Sequence, residues 1–502
     1  MVLPCIWCEP VATARSIGGA SMLARIDLDV QAQVADVDEQ QFQRCAQDAT
    51  ATMSASNALP RRQPERGLMT TLQDKSPRIT EERSSIVVWK FGGTSVENHD
   101  RLRAVAERLV AAQRQGRRVV AVLSAMGKST DGLVELAHRM SALPPRRELD
   151  ALLSVGESIT CALASMAVHE LGSRAVSLTG AQAGIVTDGQ HGNARVRAIH
   201  PNRIIEAFDD GAIVLVTGFQ GISGGGDVTT LGRGGSDASA IALAAALGVT
   251  ECDIFTDVPG VFTADPRVVP DARKLASLRH DEMLEMAEAG AAVVQPRAVE
   301  LAMVRGIDIH LRSSFSAESG TWIRHGGGVF EGDDGGDIAG IAHRRHETVY
   351  SVRGLSAGSA SSALRNCGAA IGMIMRDGDE IRFTAPGTAD ADVAATLSAA
   401  GADVKVLDEL GTVSVVSAGI ARKPAITARA LSALEAADIE PQLVTTTPGR
   451  VSVHLPTELV DDAVRLLHEV FIPPPDISQP DISRIDDASS TDVDLPVPRS
   501  AA

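Results

Sequence analysis

The stretch that most limits what this chain can fold into is Thr229-Thr230-Leu231-Gly232-Arg233-Gly234-Gly235-Ser236-Asp237. It lies after the apolar run Ile213 to Val216 and before the helix-like run Ala238 to Leu247. Glycines at 232, 234 and 235 leave backbone N–H groups open, and a helix starting at Ser236 or Asp237 presents its positive dipole end. Such a turn suits anionic oxygens. Arg233 can neutralise a carboxylate or phosphate, and Asp237 can orient a cation or a lysine. One turn of this kind is no more than a tight connection with a capping aspartate; further glycine and acidic motifs at expected strand ends make it part of a site.

Ile86 to Trp89 reads as a buried strand, and Lys90-Phe91-Gly92-Gly93-Thr94-Ser95 turns into an amphipathic helix from Asn98 to Gln113. Strand, glycine turn and helix form the α/β arrangement that meets phosphates, with Lys90 at the carboxyl end where ligands lie. A second unit runs from Val119 to Leu123 into Ser124-Ala125-Met126-Gly127-Lys128-Ser129-Thr130. Its Gly-Lys-Ser looks like the end of a P-loop, but Val122 stands where that loop needs its first glycine, so the P-loop reading fails. Helix-like Asp150 to Leu171 carries Gly156-Glu157, either a kink with a solvated glutamate or a carboxylate placed to grip an ammonium group. Asp253 to Phe255 leads into Thr256-Asp257-Val258-Pro259-Gly260-Val261-Phe262-Thr263-Ala264-Asp265-Pro266-Arg267, where Asp257, Asp265 and Arg267 offer ribose and phosphate partners. Strands and helices alternate throughout, which implies a mostly parallel sheet covered on both faces.

The chain's 502 residues, 44% of them hydrophobic, can bury a large core and more than one domain. A formal net charge of -17 excludes a general nucleic-acid or anionic-membrane surface, so anionic ligands must be met locally. Six scattered cysteines make no disulfide framework, and Cys5-Ile6-Trp7-Cys8 lacks the second pair a zinc site needs. No apolar run approaches the roughly 20 residues of a membrane helix, and no signal pattern opens the chain, so a cytoplasmic protein is expected.

Residues 1–85 differ in composition from the rest of the chain and are expected to be an atypical, partly disordered extension. Within them, Met22 to Leu59 faintly resembles the closing strand and helix of the organic-hydroperoxide-resistance family, with Met53 at the reactive cysteine's place, and no activity is assigned to it. After a Gly-rich linker at 326–337, strands are expected at Ile338 to Ala342, Thr348 to Arg353, Glu380 to Thr384, Val413 to Val416, Leu443 to Thr446 and Val451 to Leu455. Helices are expected near Val393 to Ala400, Pro424 to Ala436 and Glu458 to Phe471. Residues 472–502, with Pro473-Pro474-Pro475 and many Asp and Ser, read as a disordered tail.

Lys90 to Ser95, Thr229 to Asp237 and Thr256 to Arg267 together resemble the signature motifs of the aspartokinases, members of the amino-acid kinase superfamily. The resemblance implies a three-layer αβα kinase domain with a mostly parallel sheet over 86–325, then tandem ACT-like α+β regulatory modules over 338–471, the first of them degenerate. It implies an enzyme that transfers the γ-phosphoryl of MgATP to the side-chain carboxylate of L-aspartate, the entry to lysine, threonine and methionine synthesis. ATP and Mg2+ are the implied cofactors, no metal-ligating residue is assigned, and a homo-oligomer joined through the ACT-like modules is expected. By the same resemblance Lys90 and Asp237 are catalytic, while Thr130, Glu157, Arg233, Gly234, Gly235 and Ser236 bind aspartate. Lys90, at the transferring phosphoryl group, and Phe91 are among the nucleotide-binding residues, Gly92, Gly93 and Ser124 line the phosphates, and Thr256, Asp257, Phe262, Thr263, Ala264, Asp265, Pro266 and Arg267 hold the nucleotide. Two departures stand out. Ala292 occupies a position where the family commonly has a lysine, which leaves a catalytically impaired amino-acid sensor as the alternative. Leu355 to Ala360 lacks the Asp-x-Pro-Gly turn that opens the first regulatory helix, so weak or absent feedback inhibition is expected.

Overall fold

Parallel strands covered on both faces have no solvent side to alternate with, so the Val- and Ile-rich runs of this chain form the central sheet. The computed structural model describes residues 85–473 apart from Ala292 and the segments 327–337, 368–370 and 387–389. The expectations for the N-terminal extension, most of the linker, Ala292 and the tail from 474 onward lie outside the described residues.

In chain order the first twelve strands are β1 (Ile86–Phe91), β2 (Arg118–Leu123), β3 (Ala175–Leu178), β4 (Ile185–Thr187), β5 (Val196–Ile199), β6 (Ile213–Thr217), β7 (Gln220–Ser223), β8 (Val228–Thr230), β9 (Glu251–Thr256), β10 (Ser277–Arg279), β11 (Asp308–Ser313) and β12 (Thr321–Arg324). Eight of them make the main sheet in the order β10-β12-β11-β9-β1-β2-β6-β3. Every neighbouring pair is parallel except β11 with β12. β5-β4-β7-β8 forms a separate small sheet. The chain leaves β1 toward β2 on one side and later returns to place β9 on the other, so the carboxyl ends of β1, β2 and β9 flank a topological switch point, where open α/β sheets hold ligands.

One helix, Gly235–Leu247, is buried on nearly all sides and packs on β1, β2 and β9. Its run of alanines lets it sit close to the sheet, and it is hydrophobic all round because little of it beyond Ala245 and Ala246 meets water. His99–Arg114 and Val155–Glu170 cover the opposite face over a core that includes Leu109, Val105, Cys161 and Ala164.

The segment Arg146–Glu170 is 25 residues long and contains an 18-residue stretch of mean hydropathy 1.6, long and apolar enough for a spanning helix, which corrects the expectation that no such run exists. It is divided at Ser154 into the helices Arg146–Leu153 and Val155–Glu170, and the second buries Cys161, Ala164 and Val168 against the sheet. A core helix of an α/β layer meets the same compositional test as a membrane span.

The C-terminal part is a six-stranded sheet of β13 (Ile338–Arg353), β14 (Ile374–Asp377), β15 (Glu380–Pro386), β16 (Asp403–Ser417), β17 (Leu443–Thr446) and β18 (Arg450–Pro456), ordered β14-β15-β13-β16-β18-β17. Ile338 to Ala342 and Thr348 to Arg353, expected as two strands, are the halves of the single strand β13, whose pairing with β16 slips between Arg344 and Glu347. Hydrophobic runs separated by Arg344-Arg345-His346 look like two elements in sequence; a bulge lets one backbone carry both. Each half has its own core. Tyr350, Phe383, Leu364 and Leu397 pack under the helices Ala357–Cys367 and Asp390–Ala399. Val413, Val453, Leu434 and Leu467 pack under Pro424–Ala436 and Val460–Phe471, in a core that also takes in Ala264, Val268 and Val269 of the loop after β9.

Candidate active site

Lys90, the next-to-last residue of β1, brings its Nζ to 2.6 Å from Asp237 Oδ1 in the first turn of Gly235–Leu247, a close ion pair rather than an aligned hydrogen bond. Their side chains are only 12% and 9% exposed, so the attraction is weakly screened. The helix begins one residue earlier than the sequence suggests, with Gly234 at its N-cap in the left-handed region (φ 68°) and no side-chain cap. Asp237 is therefore a partner for Lys90 and not a cap. Gly92 N donates to Phe255 O at 3.1 Å, Ser124 N to Phe91 O at 3.2 Å and Gly127 N to Gly93 O at 3.0 Å, which ties the turns after β1 and β2 to the end of β9.

Glu157 resolves the two readings of its motif. It is buried, at 3% exposure, so it is no solvated residue at a kink, and the chain bends at Ser154 instead. A Cβ on Gly156 would stand 2.8 Å from the Ala125 Cβ, so glycine is what lets this helix approach the loop after β2. That approach brings Glu157 Oε1 within 3.2 Å of the Ala125 N–H that it accepts from, while Oε2 has no hydrogen-bond partner among the described residues. Burial pushes the carboxyl up to about 7 against the smaller opposing effect of backbone N–H donors. Gly156→Ala is expected to force the helix outward and cost about 1–3 kcal/mol of stability, read as a lower denaturation midpoint in urea.

Arg233 is exposed and has no ion-pair partner among the described residues, Ser236 is buried at the helix start, and Thr130 is half-buried at the start of Ser129–Met140. A network absent from the sequence reading holds the glycine turn in place. Asp150, 1% exposed, accepts from Thr230 Oγ1 at 2.5 Å, from the Gly192 N–H at 3.0 Å and pairs with His191 Nδ1 at 2.8 Å. Arg297 Nη1 donates to Leu231 O at 2.6 Å and to Asn193 Oδ1 at 3.0 Å. Neither Asp150 nor Arg297 sits in a glycine motif, and both come from elements distant in sequence, so no spacing rule points to them.

A second cavity wall begins where β9 ends. A space of about 960 Å³ is lined by Thr256, Asp257, Phe262 and Ala264 to Arg267, together with Gly290, Ala291, Val293 and residues of β13. Arg267 grips Asp265 through Nε at 3.0 Å and Nη2 at 2.6 Å, and this guanidinium holds the Asp265 carboxyl below the usual carboxylate range.

The region 85–313 matches the Amino acid kinase family and 413–471 matches the ACT domain. The aspartokinase of Mycolicibacterium smegmatis is 44% identical over 407 residues, covering 77% of this chain and 96% of that protein. That of Corynebacterium glutamicum is 42% identical over 407 residues with the same coverage. The chain belongs to the aspartokinase family. Its activity is that of an aspartate kinase, a phosphotransferase. The crystal structure of E. coli aspartokinase III in complex with aspartate and ADP (R-state) shares the fold, with a TM-score of 0.65 at 23% identity over 77% of this chain and 99% of that one.

Two residues expected to meet nucleotide turn their side chains elsewhere. Phe91 is fully buried and stacks on Phe255 with ring centroids 4.7 Å apart, so only its backbone faces the crevice side of the sheet. Alternation along β1 puts Lys90 and Phe91 on opposite faces, which a motif read as one unit conceals. Thr263 is buried too: its Oγ1 accepts from Arg273 N at 2.9 Å and contacts His468 Nε2 at 2.9 Å. It thereby ties the nucleotide-side loop to the last C-terminal helix.

Proposed function

We propose that the crevice at the carboxyl ends of β1, β2 and β9 is where the γ-phosphoryl group of MgATP passes to the side-chain carboxylate of L-aspartate, giving 4-phospho-L-aspartate. The observation that carries this reading is the Lys90–Asp237 pair, 2.6 Å apart, set between the Gly92-Gly93 turn and an open helix N-terminus. The nucleophile is already an anion, so the reaction needs no general base. It needs two mutually repelling anions held in line and the charge in transfer neutralised. Lys90 supplies that charge at the transferring phosphoryl group, and Asp237 orients its ammonium. Glu157, with Oε2 unbonded among the described residues, receives the aspartate ammonium, and Arg233 its α-carboxylate, with Thr130 and the Gly234-Gly235-Ser236 backbone beside it. Gly92, Gly93 and Ser124 line the phosphates; Thr256, Asp257 and the loop to Arg267 hold the nucleoside. Mg2+ enters with the nucleotide as part of the substrate.

The names of relatives above 40% identity support aspartate as the acceptor. The sensor alternative depends on Ala292, outside the described residues, whereas a buried unpaired carboxylate and an ion pair at a helix start favour catalysis. The modules divide at 325 and 338, the protein is cytoplasmic, and it assembles as a homo-oligomer through the C-terminal sheet; the buried free thiols of Cys161 and Cys252 suit a reducing compartment. With MgATP and hydroxylamine, purified protein is expected to yield hydroxamate from L-aspartate and none from glutamate. The reverse preference would overturn the substrate assignment.

A further inference from the structure

The cavity beyond β9 has a wall that the kinase domain does not make. Ile341, Ala342, His343 and Arg345, all on β13 of the C-terminal sheet, line it opposite the loop that contains Asp257 and Asp265. β13 is fastened there by its backbone: the Ile341 N–H donates to Thr263 O at 2.7 Å, and a Cβ on Gly290 would collide with the His343 carbonyl oxygen. Position and orientation of this strand against the loop are therefore tightly set, as a binding wall requires.

Among the polar groups that line the cavity, the two arginines are already engaged. Arg267 holds Asp265, and Arg345 pairs with Asp461 at 2.6 Å. His343 differs. Its half-buried imidazole has no hydrogen-bond partner among the described residues, although both ring nitrogens can bond. Burial holds its pKa below the ordinary value, so the ring is neutral at pH 7 and offers one donor and one acceptor. Next to it the wall is apolar, from Val261, Phe262, Met286 and Ile341, which suits a flat base more than a phosphate.

We propose that His343 is a nucleotide-contacting residue supplied by the C-terminal sheet, its imidazole hydrogen-bonding to the base and ribose part of the nucleotide in the cavity after β9. The inference rests on the reading of that cavity as the nucleotide site. Its consequence is direct: a displacement of β13 relative to the loop alters nucleotide affinity without any relay through the kinase core.

Titration calorimetry of the full chain with ADP tests it on the unsubstituted protein, His343→Ala and Asp257→Ala. Loss of one hydrogen bond in a desolvated site is expected to weaken ADP binding to His343→Ala about tenfold, and the KM for MgATP should rise in step while the KM for aspartate stays within about twofold. A collapse of structure would instead move both KM values together. ADP affinity unchanged in His343→Ala but weakened in Asp257→Ala overturns the inference and leaves the cavity reading standing. Affinity unchanged in both variants removes the cavity reading as well. If His343→Ala does not fold, photolabelling the unsubstituted protein with 8-azido-ADP decides the matter: label on 338–344 supports the contact, and label confined to 256–267 refutes it.

Discussion

Lys90→Ala is expected to lower kcat by about 10²–10³-fold, the usual effect of removing one preorganised charge or donor from a developing anion, while the KM for aspartate changes far less. The partition follows from position. Lys90 pairs with Asp237 at the start of a buried helix and so acts on the group in transfer, whereas the aspartate ammonium and carboxylate are met by Glu157 and Arg233. The substitution also leaves Asp237 buried without its cation, which costs about 3–5 kcal/mol of stability. The double variant Lys90→Met with Asp237→Asn separates the two effects, because it removes both charges. It should recover much of the stability and none of the activity. A kcat within about threefold of the original for folded Lys90→Ala would take Lys90 out of the transfer step.

The second large effect is a pH dependence of aspartate binding centred on Glu157. Burial places its carboxyl at about 7 in the ligand-free protein, and an ammonium ligand requires the ionised form. Free aspartate does not change charge between about pH 6 and 8. As pH rises toward 7, the KM for aspartate is therefore expected to fall by up to about tenfold per pH unit and then to level off, with release of a proton on binding. The stability of the empty protein runs the other way. A carboxyl whose folded pKa is raised contributes stability that is fully present below its unfolded value, about 4.3, and is lost as pH rises through 7. Glu157→Gln should abolish the slope, stabilise the empty protein at about pH 8 and raise the KM by roughly 10- to 100-fold, since a hydrogen bond to a charged group contributes about 1.5–3 kcal/mol. A KM profile with the same slope in Glu157→Gln would assign the titration to another group.

Local chemistry made a good part of this molecule readable in the sequence. Glycine turns marked the ends of β1, β2 and β9: Gly127 and Gly260 take positive φ, whereas Gly92 is extended and Gly93 is needed for its close approach to the Ala125 carbonyl, and the parallel strands β1 and β2 are continuous apolar runs. The helix Gly235–Leu247 and the Lys90 and Asp237 positions were legible for the same reason. The C-terminal helices Pro424–Ala436 and Val460–Phe471 were also legible, from helical spacing over a dozen residues. Tertiary structure alone decided the rest. Whether Glu157 was solvated or buried depended on Gly156 meeting Ala125, a contact between residues 31 positions apart. That Phe91 and Thr263 face cores while their neighbours face the site follows from which side of a strand or loop is covered, and no motif records that. Asp150 and Arg297 hold the glycine turn from distant elements, and the fusion of two expected strands into β13 arises from a bulge that pairing with β16 stabilises. Sequence determines what each segment prefers by itself; burial, partner and charge state at the site belong to the packing of segments that the chain brings together only when folded.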